Sequence, residues 1–255
     1  MIVSIVTVVY NNVEYVRNAI ESVLSQDYSS IEYVVIDGGS TDGTLDIIEE
    51  YRNQISVFLS ESDDGIYDAL NKGIARASGN MIAILHSDDQ FCDSYVVSDV
   101  VQKMSETKAD FCFSDLVIVD RSSGRVLRYY KARCFRRWMF RIGWMPPHPT
   151  CFIRKSLFDD FGLYSTEYKI AGDFDFLVRI FYSQEINWTY LERITVKMRQ
   201  GGISTSGWKS KMINAYEIRH SLLSNHVWSL SVFQMARYII RLMELLAKPG
   251  KDRYS

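Results

Sequence analysis

The 255-residue sequence is poor in cysteine, and its four cysteines stand far apart. Cys92, Cys112, Cys134 and Cys151 form no Cys-x-x-Cys pair, so the spacing supports neither a zinc cluster nor a disulfide framework. Long apolar runs are also missing, since none approaches the roughly 20 residues that a membrane-spanning helix needs. These absences predict a chain that folds around a hydrophobic core in a reducing compartment and does not cross a membrane.

Acidic residues are absent from residues 121–155, which hold 10 Lys and Arg. Residues 1–120 show the opposite bias, with 6 basic against 21 acidic residues, a balance of −15. The whole chain has a net charge of −2 and a pI near 6.1, which argues against nucleic acid as the main partner. The basic segment could instead meet phospholipid or a phosphate-bearing substrate, and the acidic half would need a cation to handle an anionic one.

The N-terminal segment, residues 1–10, is apolar but has no basic leader and no small-residue cleavage site. It therefore reads as a buried strand rather than a signal peptide, and we expect a cytoplasmic protein.

Strand-like and helical segments alternate along the first 115 residues. Residues 2–10 form a β-branched run, 13–26 place apolar side chains at helical spacing, and 31–37 form a second apolar run, which together indicate a βαβ unit. Such alternation predicts an α/β fold with a mainly parallel sheet and ligands at the carboxyl ends of its strands. Further helices are predicted at about 42–53, 66–77 and 94–106, and further strands at 55–60, 81–85 and 110–115.

The pattern is less regular after residue 116. The turn at 121–124 predicts a hairpin of strands 116–120 and 125–130. Residues 200–207 are rich in Gly and Ser and indicate a mobile loop that could also be a plain linker. Helices are predicted at 153–161, 172–183, 209–224 and 228–247.

Two acidic motifs follow predicted strands. Asp37 and Asp42 flank a Gly-Gly-Ser-Thr turn, where they could face a ligand or merely cap the next helix. Asp88 and Asp89 follow the strand at 81–85, and adjacent carboxylates repel each other unless a cation lies between them. Mg²⁺ and Mn²⁺ prefer such oxygen ligands, although a solvated turn is the alternative.

Four segments in the first 90 residues together resemble the family 2 inverting glycosyltransferases with the GT-A fold. Weaker similarity continues to about residue 205 and then fades. The segments that carry the resemblance are Thr7–Asn12, Val35–Thr44, Asp64–Gly73 and Leu85–Asp89, followed by Pro147–Thr150, Ala171–Asp175 and Gly201–Ser204.

The resemblance implies a single Rossmann-like, mainly parallel sheet flanked by helices, with a helical appendage at the C-terminus. Residues 1–205 would form the GT-A glycosyltransferase domain, divided into a nucleotide-sugar-binding half at 1–115 and an acceptor-binding half at 116–205. Residues 206–255 would be a C-terminal helical extension.

The resemblance also implies a donor site. Ser87-Asp88-Asp89 takes the place of the family's Asp-x-Asp element, with Asp89 as the ligand of Mn²⁺ or Mg²⁺ and Ser at the first position. Asp37 would bond the nucleotide base, and the loop at 201–202 would close over the donor. The residues expected to contact the nucleotide sugar are Thr7, Val9, Tyr10, Asp37, Asp64, Asp68, Lys72, Ser87, Asp88 and His148.

Asp173 matches the family's catalytic carboxylate, and Asp175 is the second candidate. A base suits the reaction because an acceptor hydroxyl becomes a good nucleophile only as its proton is removed. The alternative for both residues is a helix N-terminus, where Asp is favoured by the helix dipole. His148 would lie near the acceptor or the pyrophosphate, or it could be a buried histidine of the core.

The function implied is inverting transfer of a sugar from a nucleoside diphosphate, UDP by default, to a saccharide or lipid-linked saccharide in one displacement. A nucleotidyltransferase would need a Gly-rich triphosphate loop after the first strand, and residues 10–13 offer none. A non-catalytic sugar-binding scaffold is the other alternative. The basic and aromatic segment 133–144 and the helix at 228–248 suit contact with the inner face of the cell membrane, or else core packing or dimerisation.

Overall fold

The computed structural model describes residues 1–183, 185–201 and 207–229. Helices and strands alternate through the first half, as the sequence predicts. The strands are β1 Val3–Val9, β2 Ile31–Asp37, β3 Val57–Ser60, β4 Met81–Ile84, β5 Gln90–Phe91, β6 Phe111–Val119, β7 Val126–Tyr130, β8 Phe152–Arg154 and β9 Trp188–Arg199. The helices are α1 Val16–Leu24, α2 Thr44–Glu50, α3 Ile66–Arg76, α4 Val96–Thr107, α5 Lys155–Phe161, α6 Gly172–Ser183 and α7 Gly207–Ser224, with 3-10 turns at Arg52–Gln54, Arg137–Ile142 and His148–Thr150.

The first four strands form the parallel part of the sheet, in the order β3-β2-β1-β4. β1 lies between β2 and β4, with Val3 opposite both Ile31 and Met81. All seven residues of β1 are buried because helices cover both faces of the strand, which is why its sequence is a continuous apolar run rather than an alternating one.

The second half adds antiparallel pairs and makes the sheet mixed. β8 pairs antiparallel with both β4 and β6, whereas β9 runs parallel to β6 and antiparallel to β5. The hairpin predicted around residues 121–124 is present as β6 and β7. β8 occupies only three residues and leads directly into α5, so the helix predicted at 153–161 begins two residues late. We predicted no element over the twelve residues of β9.

The two faces of the sheet carry separate apolar layers. On one face α3 and α6 contribute Leu70 and Phe176, and on the other α1 and α4 contribute Ile20 and Val100. Helix α3 approaches the sheet at Gly73, where a Cβ atom would stand 2.5 Å from Cγ1 of Val6. This close approach requires glycine and seats α3, whose first turn borders the candidate site, firmly on β1.

Helix α7 confirms the helix predicted at 209–224 and packs against α6. Ile218 and Leu222 are buried in the same apolar layer as α6. The predicted loop at 200–207 and the predicted helix at 228–247 lie largely outside the described residues. Among the residues that are described, no helix is both long and apolar enough to cross a membrane.

Candidate active site

The loops that follow β1, β2 and β4 meet at one edge of the sheet. The backbone N–H of Asn11 donates to Oγ of Ser40 at 2.8 Å, and the side-chain amide of Asn12 donates to Oγ of Ser87 at 2.8 Å. Because the three strands are parallel neighbours, their carboxyl ends must lie side by side. The structure thus brings the predicted motifs at 7–12, 35–44 and 85–89 into one cluster, which we call the strand-end site.

The carboxylate of Asp37 is buried and organises the turn after β2. Its Oδ2 accepts hydrogen bonds from the N–H of Gly39 and of Ser40, both at 3.0 Å, and from the hydroxyl of Ser60 at 2.7 Å. Its Oδ1 accepts only a 3.3 Å bond from Ser40. One oxygen therefore holds the loop and the other keeps acceptor capacity.

Tyr10 is the residue of the first strand end that reaches the surface, with 65% of its area exposed. Thr7 and Val9 are buried: Thr7 accepts a hydrogen bond from Tyr33, and the carbonyl of Val9 accepts one from the N–H of Gly38. A Cβ atom at Gly38 would lie 2.3 Å from the carboxylate of Asp63 and 3.4 Å from the Tyr10 ring. An exposed ring beside a carboxylate offers stacking and hydrogen bonding to a planar ligand, and Asp63 was not among the predicted residues.

Asp42 acts as a helix cap rather than a ligand-facing group. Its carboxylate accepts hydrogen bonds from the N–H of Val13 and of Thr44, both at 3.0 Å, and so joins the starts of α1 and α2. The hydroxyl of Thr44 also donates to it and lowers its pKa. Of the two readings of this turn, capping is the one that the contacts of Asp42 support.

Lys72 of α3 clamps the loop that follows β3. Its ammonium lies 3.0 Å from the carboxylates of Glu61 and Asp68 and donates to the carbonyl of Ser62 at 3.0 Å. The hydrogen bonds to Glu61 and Asp68 raise the pKa of Lys72. Asp68 also accepts the N–H of Asp64 at 3.1 Å. The predicted residues of this segment therefore form one ion-paired loop at the strand-end site.

Asp88 and Asp89 are the residues that we expect to hold a cation. Asp89 is 2% exposed, and burial together with the charge of Asp88 raises its pKa well above the ordinary value. The described structure gives its carboxylate one donor, the N–H of Arg199 at 3.3 Å, which is too little to stabilise a buried charge. No group of three His, Cys, Asp or Glu side chains that could hold a metal occurs in the described part of the chain. Mg²⁺ can be held by one or two carboxylates when substrate phosphates and water complete its shell, and this pair could supply them.

Arg199, at the end of β9, fixes the Asp88–Asp89 turn. Its guanidinium donates to the carbonyl of Asp88 at 2.9 Å and lies 4.4 Å from the centre of the Tyr15 ring. Arg121 lies over the same ring at 4.7 Å. Both guanidinium groups therefore pack on the Tyr15 ring, and that of Arg199 also contacts the Asp88–Asp89 turn. Arg199 was not among the predicted residues because the sequence of residues 188–199 indicated no strand.

Asp173 lies in the first turn of α6 and is partly exposed. Its Oδ1 accepts a hydrogen bond from the N–H of Phe174 at 2.8 Å and lies 3.3 Å from the hydroxyl of Tyr67. Burial raises the pKa of Asp173 to about 6. A carboxylate with a pKa near neutrality is ionised at physiological pH and still basic enough to accept a proton.

Asp175 is engaged elsewhere. Its carboxylate is buried and accepts hydrogen bonds from Ser221 at 2.8 Å and Asn225 at 3.1 Å, with Arg179 at 3.4 Å. These contacts tie α6 to the C-terminal end of α7. Asp175 therefore anchors a helix, and Asp173 is the carboxylate of this pair that remains available to a substrate.

His148 is buried, and its Nε2 lies 2.8 Å from the hydroxyl of Tyr164. Burial, aided by the neighbouring His86 ring at 6.3 Å, lowers the pKa of His148 to about 3, so the ring is neutral. Tyr164 is in turn held by two hydrogen bonds between its backbone and the side chain of Asn71 of α3. The contacts of His148 are those of a core histidine, and its predicted place near the substrate stays a prediction.

The sheet with acidic loops at its carboxyl ends defines an α/β protein, a class in which ligands usually bind at that edge. Residues 4–162 match the family described as Glycosyl transferase family 2. The chain belongs to this family and is a glycosyltransferase. An uncharacterised glycosyltransferase of Mycobacterium tuberculosis is 33% identical over 184 residues, which is 69% of this chain and 68% of that protein.

Solved structures confirm the GT-A fold. S. aureus TarS in complex with UDP-GlcNAc superimposes with a TM-score of 0.68 at 21% identity, over 88% of this chain and 67% of that one. The mannosyltransferase PcManGT of Pyrobaculum calidifontis, in complex with GDP-Man and Mn²⁺, gives a TM-score of 0.63 at 15% identity, over 98% and 76%. At these identities the similarity establishes the fold.

Proposed function

We propose that the protein transfers a sugar from a nucleoside diphosphate to a saccharide or lipid-linked saccharide with inversion of the anomeric carbon. The observation that carries the proposal is the carboxylate of Asp173, which is partly exposed, unlike that of Asp175, and whose pKa is raised to about 6. In one displacement the acceptor oxygen bonds to the anomeric carbon, the bond to the diphosphate breaks, and the acceptor proton passes to Asp173. A double displacement would need a second carboxylate as nucleophile, and Asp175 is bound to α7.

The donor is proposed to lie in the strand-end site. The exposed ring of Tyr10 suits stacking on a nucleotide base, which Asp37 is expected to bond, and the ion-paired loop with Asp64, Asp68 and Lys72 suits the ribose and sugar. UDP is the default nucleotide because TarS binds UDP-GlcNAc. PcManGT, in contrast, binds GDP-Man. The comparison supports a nucleoside diphosphate and leaves the base to experiment.

A divalent cation is proposed as the cofactor. Asp89, assisted by Asp88, would hold Mn²⁺ or Mg²⁺ together with the diphosphate oxygens of the donor, and Arg199 would keep the turn in place. When bound, such an ion neutralises the charge that develops on the departing nucleoside diphosphate.

The donor proposal is tested by calorimetric titration of the full chain with UDP, GDP and dTDP. One nucleotide should bind in Mn²⁺ and lose at least about tenfold in affinity in EDTA, because the ion links the diphosphate to Asp89. The matching nucleoside monophosphate serves as control, since it lacks the second phosphate and should depend less on metal. Absence of binding by all three diphosphates under both conditions would contradict the proposed donor site.

Helix α7 carries a second apolar face that we propose rests on a membrane. Trp208, Met212, Tyr216 and Leu223 are each at least 60% exposed. At about 100° per residue their spacing places them within an arc of about 80°. This face is separate from the buried side that packs on α6.

The charge around this exposed face suits anionic phospholipid. Lys209 and Lys211 are exposed beside it, Arg219 is exposed within it, and the only acidic residue in the sequence of α7, Glu217, is buried. The hydroxyl of Ser229 donates to the carbonyl of Arg141, which brings the chain after α7 to the basic 3-10 turn Arg137–Ile142. Basic side chains flanking exposed aromatic rings are typical of peripheral contact with an anionic surface. We therefore propose that the enzyme works at the inner face of the cell membrane.

The double substitution Trp208→Ser and Tyr216→Ser should weaken binding to vesicles of phosphatidylglycerol and phosphatidylcholine by at least about tenfold, because partial burial of one large aromatic contributes about 1.5 kcal/mol. Co-sedimentation measures the vesicle binding. Vesicles of phosphatidylcholine alone, which carry no net charge, test its dependence on anionic lipid. Tyr95→Ser, which removes an aromatic 59% exposed at the start of α4, is the matched control. Unchanged vesicle binding, or a wild-type dimer that the double variant dissociates, would overturn the membrane assignment.

A further inference from the structure

Helix α7 presents one buried carboxylate to the loop that precedes α6. Glu217 is 6% exposed, and its two oxygens accept the backbone N–H groups of Lys169, Ile170 and Ala171, each at 2.9 Å. Three donors on one carboxylate compensate for the burial of its charge. The contacting residues are 46 to 48 positions apart in the sequence, so no local sequence pattern predicts the contact.

The loop bound by Glu217 sets the start of the helix that carries Asp173. The carbonyl of Ala171 accepts the N–H of Asp175 at 2.9 Å, which begins the hydrogen-bond ladder of α6. On the opposite side, the hydroxyl of Tyr67 donates to the carbonyl of Ile170 at 2.6 Å. Two helices therefore hold residue 170. Glu217 of α7 accepts a hydrogen bond from its N–H, and Tyr67 of α3 donates one to its C=O.

The same tyrosine hydroxyl reaches Asp173. It has one proton to donate, and the 2.6 Å bond to Ile170 takes it in preference to the 3.3 Å contact with Oδ1 of Asp173. If residue 170 shifted, this proton would turn to Asp173, stabilise its ionised form and weaken it as a base. A shift of the loop would therefore change the hydrogen bonding of Asp173 as well as its direction.

Contacts other than those of Glu217 also hold α7 against α6. Ile218 and Leu222 already bury the helix in the apolar layer shared with α6, and Ser221 and Asn225 bind Asp175. The contribution that belongs to Glu217 alone is the capture of three consecutive N–H groups ahead of Asp173.

We propose that Glu217 is a positioning residue for Asp173, so that α7 completes the catalytic centre although the sequence places it in an extension outside the glycosyltransferase domain. The inference rests on the proposed role of Asp173 as the base. Glu217 contacts neither the strand-end site nor any group expected to touch the donor, so its influence should fall on kcat rather than on donor affinity.

The test compares Glu217→Gln with the matched control Ser221→Ala in the full chain. Gln keeps the size of the side chain but turns an N–H₂ group toward backbone N–H groups, and Ser221→Ala removes a buried contact one turn further along the same helix. For Glu217→Gln we expect kcat to fall by about 10- to 100-fold with donor affinity within about twofold, the size of loss that a displaced catalytic group produces. Ser221→Ala should lower the melting temperature and leave kcat unchanged.

A double substitution separates this inference from the proposed function. In an Asp173→Asn background, Glu217→Gln should cause no further loss of the residual rate, because both changes act on one group. A wild-type kcat for Glu217→Gln, or a loss of kcat that Ser221→Ala reproduces at equal loss of stability, would overturn the role of Glu217. If Asp173→Asn itself stays active, the proposed base is wrong, whatever Glu217→Gln does.

Discussion

Asp173→Asn is expected to lower kcat by about 10²- to 10⁴-fold, the usual contribution of a general base, while donor affinity stays within about twofold. Asn has the same shape and its carbonyl oxygen can still accept the bond from Phe174 and keep the contact with Tyr67, so the start of α6 should be preserved. What the variant loses is the ability to take the acceptor proton. Steady-state transfer assays and donor titration measure the two quantities separately.

The control for this variant is Asp175→Asn, a change two residues away on the same helix. Because Asp175 binds Ser221, Asn225 and Arg179, its substitution should reduce the free energy of unfolding by about 1 to 3 kcal/mol and affect kcat little. The reverse result, with Asp175→Asn inactive and Asp173→Asn active, would move the base to Asp175.

The pH dependence of the wild type provides a further check on Asp173. A base must be ionised to act, and burial raises the pKa of Asp173 to about 6. The rate should therefore be low below pH 6, rise through that value and level off above it. An acid limb centred near pH 4, the usual value for Asp, would show that the active carboxylate is an exposed one.

Asp89→Asn is expected to remove the metal-dependent part of donor binding. The affinity for the matching nucleoside diphosphate in Mn²⁺ should fall at least about 10- to 100-fold, toward the value in EDTA, because substitutions even one shell outside a metal commonly cost that much. Asp89 is buried, and its negative charge is also repelled by that of Asp88. A single long hydrogen bond from Arg199 offsets little of this cost, so a bound cation should contribute strongly. Titration with and without Mn²⁺ gives the result directly.

Asp42→Asn is the matched control for Asp89→Asn, since it removes a carboxylate from a neighbouring loop. Asp42 caps α2 and bonds Val13, so its loss should lower stability and leave the metal dependence of donor binding intact. If Asp89→Asn retains full metal-dependent binding, the cation site lies elsewhere.

Much of the site is predictable from sequence because the strand-end motifs are short. The strand β1 and the residues that follow it are specified by a β-branched run and a break at Asn11, which adopts a positive φ of 45°. The helix predicted at 172–183 coincides with α6. Local periodicity and turn chemistry act over a few residues, so a pattern in the chain is enough to locate such elements.

The mixed part of the sheet is less accessible to such reasoning. β8 is three residues long and continues into a helix, and β9 carries Arg193 and Lys197 among its apolar residues. Strands of this kind are stabilised by their partners across the sheet rather than by their own composition. Arg199, which holds the Asp88–Asp89 turn, was missed for the same reason.

The sequence by itself determined the family resemblance, the α/β alternation and the presence of acidic residues at the ends of β2 and β4 and at the start of α6. Only the tertiary structure decided which carboxylates are available. Asp173 and Asp175 are about 200° apart on a helix, so one must face away from the other. The packing of α7, more than 40 residues later, binds Asp175, and its Glu217 fixes the loop ahead of Asp173. Long-range packing distinguishes two residues that local sequence presents as equivalent.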